Sequence, residues 1–112
     1  LISENDRTLY KIADSIEEAV DEIVGFYANY HSIRFVDGVM HLRIHRRIPD
    51  GDFAAIASEF AYLANDGMIN QTAATEAEMR DSDHVELTRI ALQYSGKGFA
   101  SVRPLIDALN KY

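Results

Sequence analysis

The sequence predicts an α+β domain in which a leading helix is followed by two ββα units, giving a four-stranded antiparallel sheet with helices packed mainly on one face. Three observations predict this fold. Apolar residues recur at helical spacing before residue 30, Asp37-Gly38 separates two strand-like runs, and a weak internal repeat relates residues 39–66 to residues 85–112. The repeat places Arg43 on Arg89. The length fits one domain, residues 1–112.

The leading helix is predicted over residues 15–29, after a polar lead-in of residues 1–13. Ser15 and Glu18 have the spacing of a capping box, in which each side chain bonds the backbone amide of the other residue. Apolar and aromatic residues then follow helical spacing: Ile16, Ala19, Val20, Ile23, Tyr27 and Tyr30.

Asp37-Gly38 predicts a type I′ β-hairpin, because both central positions of this turn need a positive φ. The two-residue loop fixes the pairing, so that Phe35 faces Met40 and Arg34 faces His41. One face of the hairpin is apolar and is predicted to be buried, together with Ile90: Ile33, Phe35, Met40, Leu42 and Ile44. The opposite face carries Arg34, His41, Arg43 and His45, with Ser32 nearby.

Apolar spacing and turn residues predict the remaining elements. A helix should run from Pro49-Asp50-Gly51 to Asn65-Asp66-Gly67, with a buried stripe of Phe53, Ile56, Ala57, Phe60, Leu63 and Ala64. Strands are predicted over residues 68–72 and 85–94, with an acidic loop over residues 73–83 between them. A turn over residues 95–98 leads to the last helix, in which Pro104 must either lie in the first turn or kink the helix.

Composition excludes several classes of function. The chain has no cysteine, which rules out disulfides, thiolate metal sites and a cysteine nucleophile, and which fits a cytoplasmic location. The net charge of −7, from 18 acidic and 11 basic residues, argues against nucleic-acid binding. No apolar run approaches the roughly 20 residues needed to cross a bilayer, so no membrane partner is expected. Neither a metal nor a cofactor is expected, because no P-loop, dinucleotide fingerprint, calcium loop or zinc spacing is present.

The basic residues of the hairpin are the best candidates for a ligand site or an interface. Arg34, His41, Arg43 and His45 share one face, and the repeat adds Arg89. The simplest interpretation is the solvated outer face of a sheet. Two alternatives stay open: contact with another domain or subunit, and a site for a small anion such as phosphate. Guanidinium groups suit both, because they engage two oxygens at once.

The junction between the leading helix and the first strand contains Tyr27, Tyr30, His31 and Ser32. His31 and Ser32 suggest a base and a nucleophile, but adjacent side chains at such a junction should point in different directions, and no orienting acid is evident. A capping or hydrogen-bonding role is therefore favoured for His31. His84 lies in the acidic loop and is interpreted as solvated. No catalytic residue is assigned.

Several segments resemble one protein family: Leu1–Asp6, Ile12–Val20, Phe26–Arg34 and Leu105–Asn110. Together they are similar to the C-terminal region of the extended bacterial branch of the Lonely Guy family. These are Rossmann-like nucleotide-binding proteins that were long described as lysine decarboxylases. The catalytic loop of the family, P-G-G-x-G-T-x-x-E, has no counterpart in this chain, so no catalytic residue is carried over.

The resemblance implies that the partner of this chain is an upstream Rossmann domain of the same polypeptide, from which residues 1–13 lead in. The parent would hydrolyse the N-glycosidic bond of nucleoside 5′-monophosphates, and this chain would be its non-catalytic accessory or interaction domain. The alternative is a regulatory module that binds a phosphorylated metabolite on the basic face. Homo-oligomerisation and a phosphate or nucleotide ligand stay open.

Overall fold

The computed structural model describes the backbone of residues 4–96 and 99–112, and the side chains of residues 11–96 and 100–112. The elements are α1 (Glu4–Phe26), β1 (Tyr30–Val36), β2 (Val39–Ile44), α2 (Asp50–Glu59), β3 (Ala64–Thr72), α3 (Glu76–Arg80), β4 (Thr88–Tyr94) and α4 (Arg103–Leu109). Short 3-10 segments lie at Ala61–Leu63 and Phe99–Ser101. The predicted fold class, a helix followed by two ββα units, is confirmed.

The four strands form one antiparallel sheet in the order β1-β2-β4-β3. The two halves of the chain therefore meet at the centre of the sheet, between β2 and β4. Arg43 of β2 lies directly opposite Arg89 of β4, and these are the two residues that the repeat relates. The local twofold axis of this antiparallel pair consequently passes between the two arginines.

The predicted hairpin register is confirmed. Val36 pairs with Val39, Phe35 with Met40, and Arg34 with His41. Asp37 and Gly38 have φ values of 51° and 80°, as a type I′ turn requires. The pairing shifts by one residue between Tyr30 and Ser32, which marks a bulge at the start of β1.

The hydrophobic core lies between the apolar face of the sheet and helices α2 and α4. Its buried residues include Met40, Leu42, Ile44 and Ile90 from the sheet, Ile56 and Phe60 from the α2 region, and Val102, Leu105, Ile106 and Leu109 from the α4 region. Phe35 departs from the prediction, because its side chain is 58% exposed. It lies near the turn of an edge strand, outside the area that the two helices cover.

Helix α1 begins and ends earlier than predicted. Residues 4–14 contain neither proline nor glycine, so nothing in them stops a helix from extending toward the N-terminus. Ser15 lies inside the helix and its hydroxyl donates to the Lys11 carbonyl at 3.0 Å, a within-helix bond that replaces the predicted cap. Most of the predicted lead-in is thus helical, with residues 1–3 outside the described residues. Tyr30, predicted as part of the helical stripe, is the first residue of β1.

The second half of the chain differs from the prediction at its connections. Asn65-Asp66-Gly67 lies within β3, where Gly67 has a φ of 70° and the register is irregular between Ala64 and Ile69. The loop predicted over residues 73–83 contains α3. Pro104 lies in the first turn of α4, which is one of the two possibilities predicted for it. Residues 97–98 of the predicted turn lie outside the described residues.

Candidate functional site

The chain itself covers the basic face of the sheet. Helix α3 and the residues around it, 75–87, lie over this face, and we call this segment the acidic cover. α3 begins with a capping box: the Thr75 hydroxyl accepts from the Glu78 amide at 3.2 Å, and Oε1 of Glu78 accepts from the Thr75 amide at 3.2 Å. The cap occupies Oε1 of Glu78 and leaves Oε2 for the arginines of the sheet.

Glu78 lies between Arg43 and Arg89, the two arginines that the internal repeat relates. Its Oε2 accepts from Nε of Arg43 at 3.0 Å, and from Nε and Nη2 of Arg89 at 3.1 and 2.9 Å. The side chains of Glu78 and Arg89 are fully buried, and that of Arg43 is 5% exposed. This is a buried ion triad in which one carboxylate serves two guanidinium groups.

Arg89 has no donor left for a ligand. Besides its two bonds to Glu78, it donates to the backbone carbonyls of His84 at 2.6 Å, Leu87 at 2.5 Å and Asp83 at 2.6 Å. These five bonds use all five N–H groups of a guanidinium. The three carbonyls belong to the acidic cover, so Arg89 holds that segment against the sheet.

A second ring of ion pairs closes the outer side of the triad. Asp83 accepts from Nη2 of Arg43 and, at 2.8 Å, from Nη1 of Arg34. Asp81 accepts from Nη2 of Arg34 at 2.7 Å. The three arginines of the sheet are therefore matched by three carboxylates of the acidic cover.

The ion pairs lower the pKa values of Glu78 and Asp83, which favours the ionised form of each carboxylate. Burial alone would raise the pKa of Glu78, but the hydrogen bonds from Arg89, Thr75 and Arg43 outweigh it and lower the pKa from its ordinary 4.5 to about 2. The hydrogen bond from Arg34, followed by that from Arg43, lowers the pKa of Asp83. Both carboxylates are ionised at neutral pH, and the network carries its full set of charges.

The expectation that the basic face is an exposed surface is wrong for three of its five residues. His41, Arg43 and Arg89 are buried, at 6%, 4% and 0% exposure. Arg34 is partly exposed but held by Asp81 and Asp83, whereas His45 is exposed. Sequence reasoning missed the acidic cover, although the Thr-x-x-Glu spacing of its cap and its charge, opposite to that of the sheet face, were signals for it.

His41 lies on the same face of the sheet as Arg43, two residues earlier in β2, and it is not part of the ion triad. Its Nδ1 is buried and has no hydrogen-bond partner among the described residues. Burial lowers the pKa of this imidazole, so His41 is neutral at physiological pH. Its place in the structure is that of a packed side chain.

The junction residues make a connected group. Nδ1 of His31 lies 2.7 Å from the Ser32 hydroxyl, which also accepts from Nη1 of Arg43 at 2.9 Å. The two adjacent side chains meet because the bulge between Tyr30 and Ser32 interrupts the alternation of β1. The expected divergence of His31 and Ser32 was therefore wrong, while the predicted hydrogen-bonding role of His31 is confirmed.

Three histidines also come together at this junction, which the sequence did not indicate. The His31 ring centroid lies 5.3 Å from that of His45 and 4.3 Å from that of His84. Burial, then the proximity of His84 and His45, lowers the pKa of His31. Within the described ranges, no group of three or more histidine or acidic side chains is placed to hold a metal ion.

Two asparagines fix the end of α1 to the rest of the domain. Nδ2 of Asn110 donates to the Phe26 carbonyl at 2.6 Å, and its Oδ1 accepts from the amides of Asn29 and Tyr30, each at 2.8 Å. The fully buried Asn29 donates from Nδ2 to the carbonyls of Arg46 and Leu109, each at 3.1 Å. The direction in which α1 leaves the sheet is thus set by a buried polar cluster.

Beyond this anchor, α1 extends away from the domain. Every side chain from residue 11 to residue 25 is exposed. The domain measures 62 × 31 × 28 Å, and the 23 residues of α1 span about 35 Å at 1.5 Å per residue. One face of the helix carries an apolar stripe whose side chains are half or more exposed: Ile12, Ile16, Val20 and Ile23.

Comparisons of the chain with protein-family models, with curated proteins and with solved structures find no match. The resemblance to the Lonely Guy family therefore stays a prediction. In the described part of the chain, no helix combines the length and the apolar character that crossing a membrane requires.

Proposed function

We propose that this chain is a non-catalytic accessory and interaction domain that uses α1 to dock on a Rossmann-like nucleotide-binding domain of the same polypeptide. The parent would be a hydrolase of the N-glycosidic bond of nucleoside 5′-monophosphates. The observation that carries the proposal is the exposed apolar stripe of α1. An isolated helix is marginal in water, and most helices in proteins are stabilised by packing of their apolar face.

The contacts that hold the C-terminal end of α1 support a docking role, because they fix the direction of the helix relative to the sheet. Asn110 and Asn29 fix the last turn of the helix, and Arg103 contacts its side chains there, with the guanidinium carbon 4.8 Å from the Phe26 ring centroid. A helix held at one end presents its stripe in one orientation. A partner that covers the stripe is therefore positioned relative to the sheet.

The alternative, sensing of a phosphorylated metabolite on the basic face, has less support. The donors of Arg89 are all used, and Arg43 and Arg34 are paired with Glu78, Asp83 and Asp81. An anion would have to displace carboxylates that are already within hydrogen-bond distance. Such an exchange gains little free energy.

The docking role is tested by hydrogen exchange on the complete polypeptide and on the 112-residue chain. Amides of residues 11–25 should exchange slowly in the complete polypeptide and quickly in the isolated chain. Ile16→Asp and Ile23→Asp should abolish the slow exchange, because each places a charge in the docked stripe. Glu18→Lys is the control, since Glu18 is exposed and lies about 140° around the helix from Ile23, on the face opposite the stripe.

The parent activity is tested separately, by release of free base from nucleoside 5′-monophosphates. The complete polypeptide should turn over, and the 112-residue chain should be inactive. Turnover by the pure chain that is lost on a point substitution within it would refute the non-catalytic assignment. A complete polypeptide without a glycine-rich Rossmann segment would refute the proposed parent.

A further inference from the structure

A cleft lies beside the edge strand β1, and residues from both strands of the hairpin line it. Its volume is about 610 Å³, and aromatic rings dominate its lining: Tyr27, Tyr30, Phe35 and Tyr94. Clefts of about 300–1,000 Å³ lined by aromatic side chains are typical of small-molecule sites. Neither the basic face nor the stripe of α1 accounts for this cleft.

Neighbouring rings support part of the aromatic lining, although much of it is exposed. Tyr27 is 51% exposed, yet its ring is stacked on Tyr30 at 5.8 Å and 29°, and meets Phe26 edge-on at 4.8 Å. Phe35, on β1, is 58% exposed. Exposed rings that neighbouring rings hold in place offer a preformed surface to a flat ligand, because little side-chain entropy is lost on stacking.

The outer edge of β1, which has no strand partner among the described residues, adds directional hydrogen bonding. In a hairpin with a two-residue turn, hydrogen-bonded pairs alternate outward from the turn, beginning with Val36 and Val39. Arg34 and His41 form the next such pair, so Ile33 and Phe35 turn their N–H and C=O groups away from β2. Both residues line the cleft. The edge therefore presents a donor and an acceptor from each of two residues, a pattern that the edge of a heteroaromatic ring can match.

The charge of the site disfavours an anionic ligand. Arg34 also lines the cleft, but Asp81 and Asp83 hold its guanidinium. His31, another lining residue, is occupied through Nδ1 by Ser32, and its lowered pKa keeps it neutral at pH 7. No unneutralised cation is thus offered to a phosphate by the lining side chains that the structure describes.

We propose that this cleft binds a flat, uncharged heteroaromatic molecule of the size of a purine base, which stacks on Tyr27 and hydrogen-bonds to the outer edge of β1. Stacking supplies the affinity, and the amides and carbonyls of Ile33 and Phe35 select rings with donors and acceptors on one edge. The site is independent of the docking role proposed for α1, since Tyr27 and β1 follow that helix in the chain.

The test is titration of the 112-residue chain with adenine, adenosine and inorganic phosphate at pH 7.5, followed by calorimetry and by saturation-transfer NMR. Adenine and adenosine should bind with similar affinity, and phosphate should neither bind nor compete. Tyr27→Ala should weaken adenine binding about 5- to 150-fold, the range expected for loss of one base–aromatic stack. Tyr62→Ala is the matched control, because Tyr62 is 67% exposed and lies outside the cleft.

Three outcomes would overturn the proposal. They are the absence of saturable adenine binding with a Kd of about 1 mM or lower, an equal loss in Tyr27→Ala and Tyr62→Ala, and phosphate binding at least as strong as that of adenine. Circular dichroism of each variant separates loss of binding from loss of fold. If Tyr27→Ala is unfolded, Phe35→Ala gives the same comparison with another aromatic ring that lines the cleft.

Discussion

Replacing Glu78 by Gln should strongly destabilise the domain. The substitution keeps the shape of the side chain and its ability to accept from Thr75, but removes the only negative charge within the buried triad of Arg43 and Arg89. Breaking a buried pair by removing one partner costs about 3–5 kcal/mol, because the remaining charge stays buried. Against a stability of about 5–15 kcal/mol for a typical domain, this is a large fraction.

The lowered pKa of Glu78 gives an order-of-magnitude figure for the same ion triad. Its pKa is lowered from 4.5 to about 2 in the folded protein. Since one pKa unit corresponds to about 1.4 kcal/mol, the ionised carboxylate contributes about 3 kcal/mol. A lowered pKa stabilises the fold above the unfolded value, so this contribution is complete above about pH 4.5 and is lost as the pH falls toward 2.

Urea unfolding followed by circular dichroism measures both effects. At pH 7, Glu78→Gln should lower the free energy of unfolding by about 3–5 kcal/mol, and the gap to the original protein should narrow as the pH falls from 5 to 2.5. Glu76→Gln is the control, because Glu76 is exposed on the same helix and should change stability by at most about 0.5 kcal/mol. A Glu78→Gln protein as stable as Glu76→Gln at pH 7 would refute the reasoning.

Three further predictions concern the sheet and its junction. Arg43→Glu should leave no cooperative unfolding transition, since it adds a carboxylate to a buried site that already holds Glu78, and a folded variant would show that the ion triad is dispensable. Leu42→Ala should cost about 2–5 kcal/mol by chemical unfolding, whereas Phe35→Ala should stay near the value for a surface change, and equal losses would contradict the observed burial. Burial and the nearby imidazoles lower the pKa of His31, so the folded state binds fewer protons than the unfolded state and stability should fall as the pH drops below about 6.5. Thermal melts at pH 8 and pH 5.5 should show a smaller difference for His31→Gln than for the original protein, and an unchanged difference would exclude this histidine as the source.

Local sequence rules predicted the elements whose conformation is decided by neighbouring residues. Asp37-Gly38 fixed the hairpin register, because few turn types suit two strands joined by two residues. The apolar spacing of Phe53, Ile56 and Phe60 likewise predicted the helix that covers the sheet. These features depend on turn geometry and on the spacing of apolar residues, and both can be read from residue types at fixed positions in the sequence.

Long-range polar contacts could not be predicted in this way. Asn29 and Asn110 are far apart in the chain, and their pairing depends on where α4 ends relative to β1. The burial of Arg43 was missed for a related reason. A polar face on a sheet is usually solvated, and the sequence does not state that a segment more than 30 residues away lies over it (Glu78 is 35 residues from Arg43).

The repeat explains why a carboxylate is needed on the polar face at all. Two copies of a ββα unit that meet at β2 and β4 bring the related residues Arg43 and Arg89 into direct register, so like charges lie opposite each other across the local axis. Such a pair destabilises a sheet unless an anion intervenes. The connection within the first unit is a two-residue turn, whereas that within the second is long enough to contain α3, and its Glu78 is bound by both arginines. The longer connection of the second unit therefore supplies the negative charge that the Arg43–Arg89 pair requires. As a result, the centre of the polar face of the sheet is buried and is held together by ion pairs.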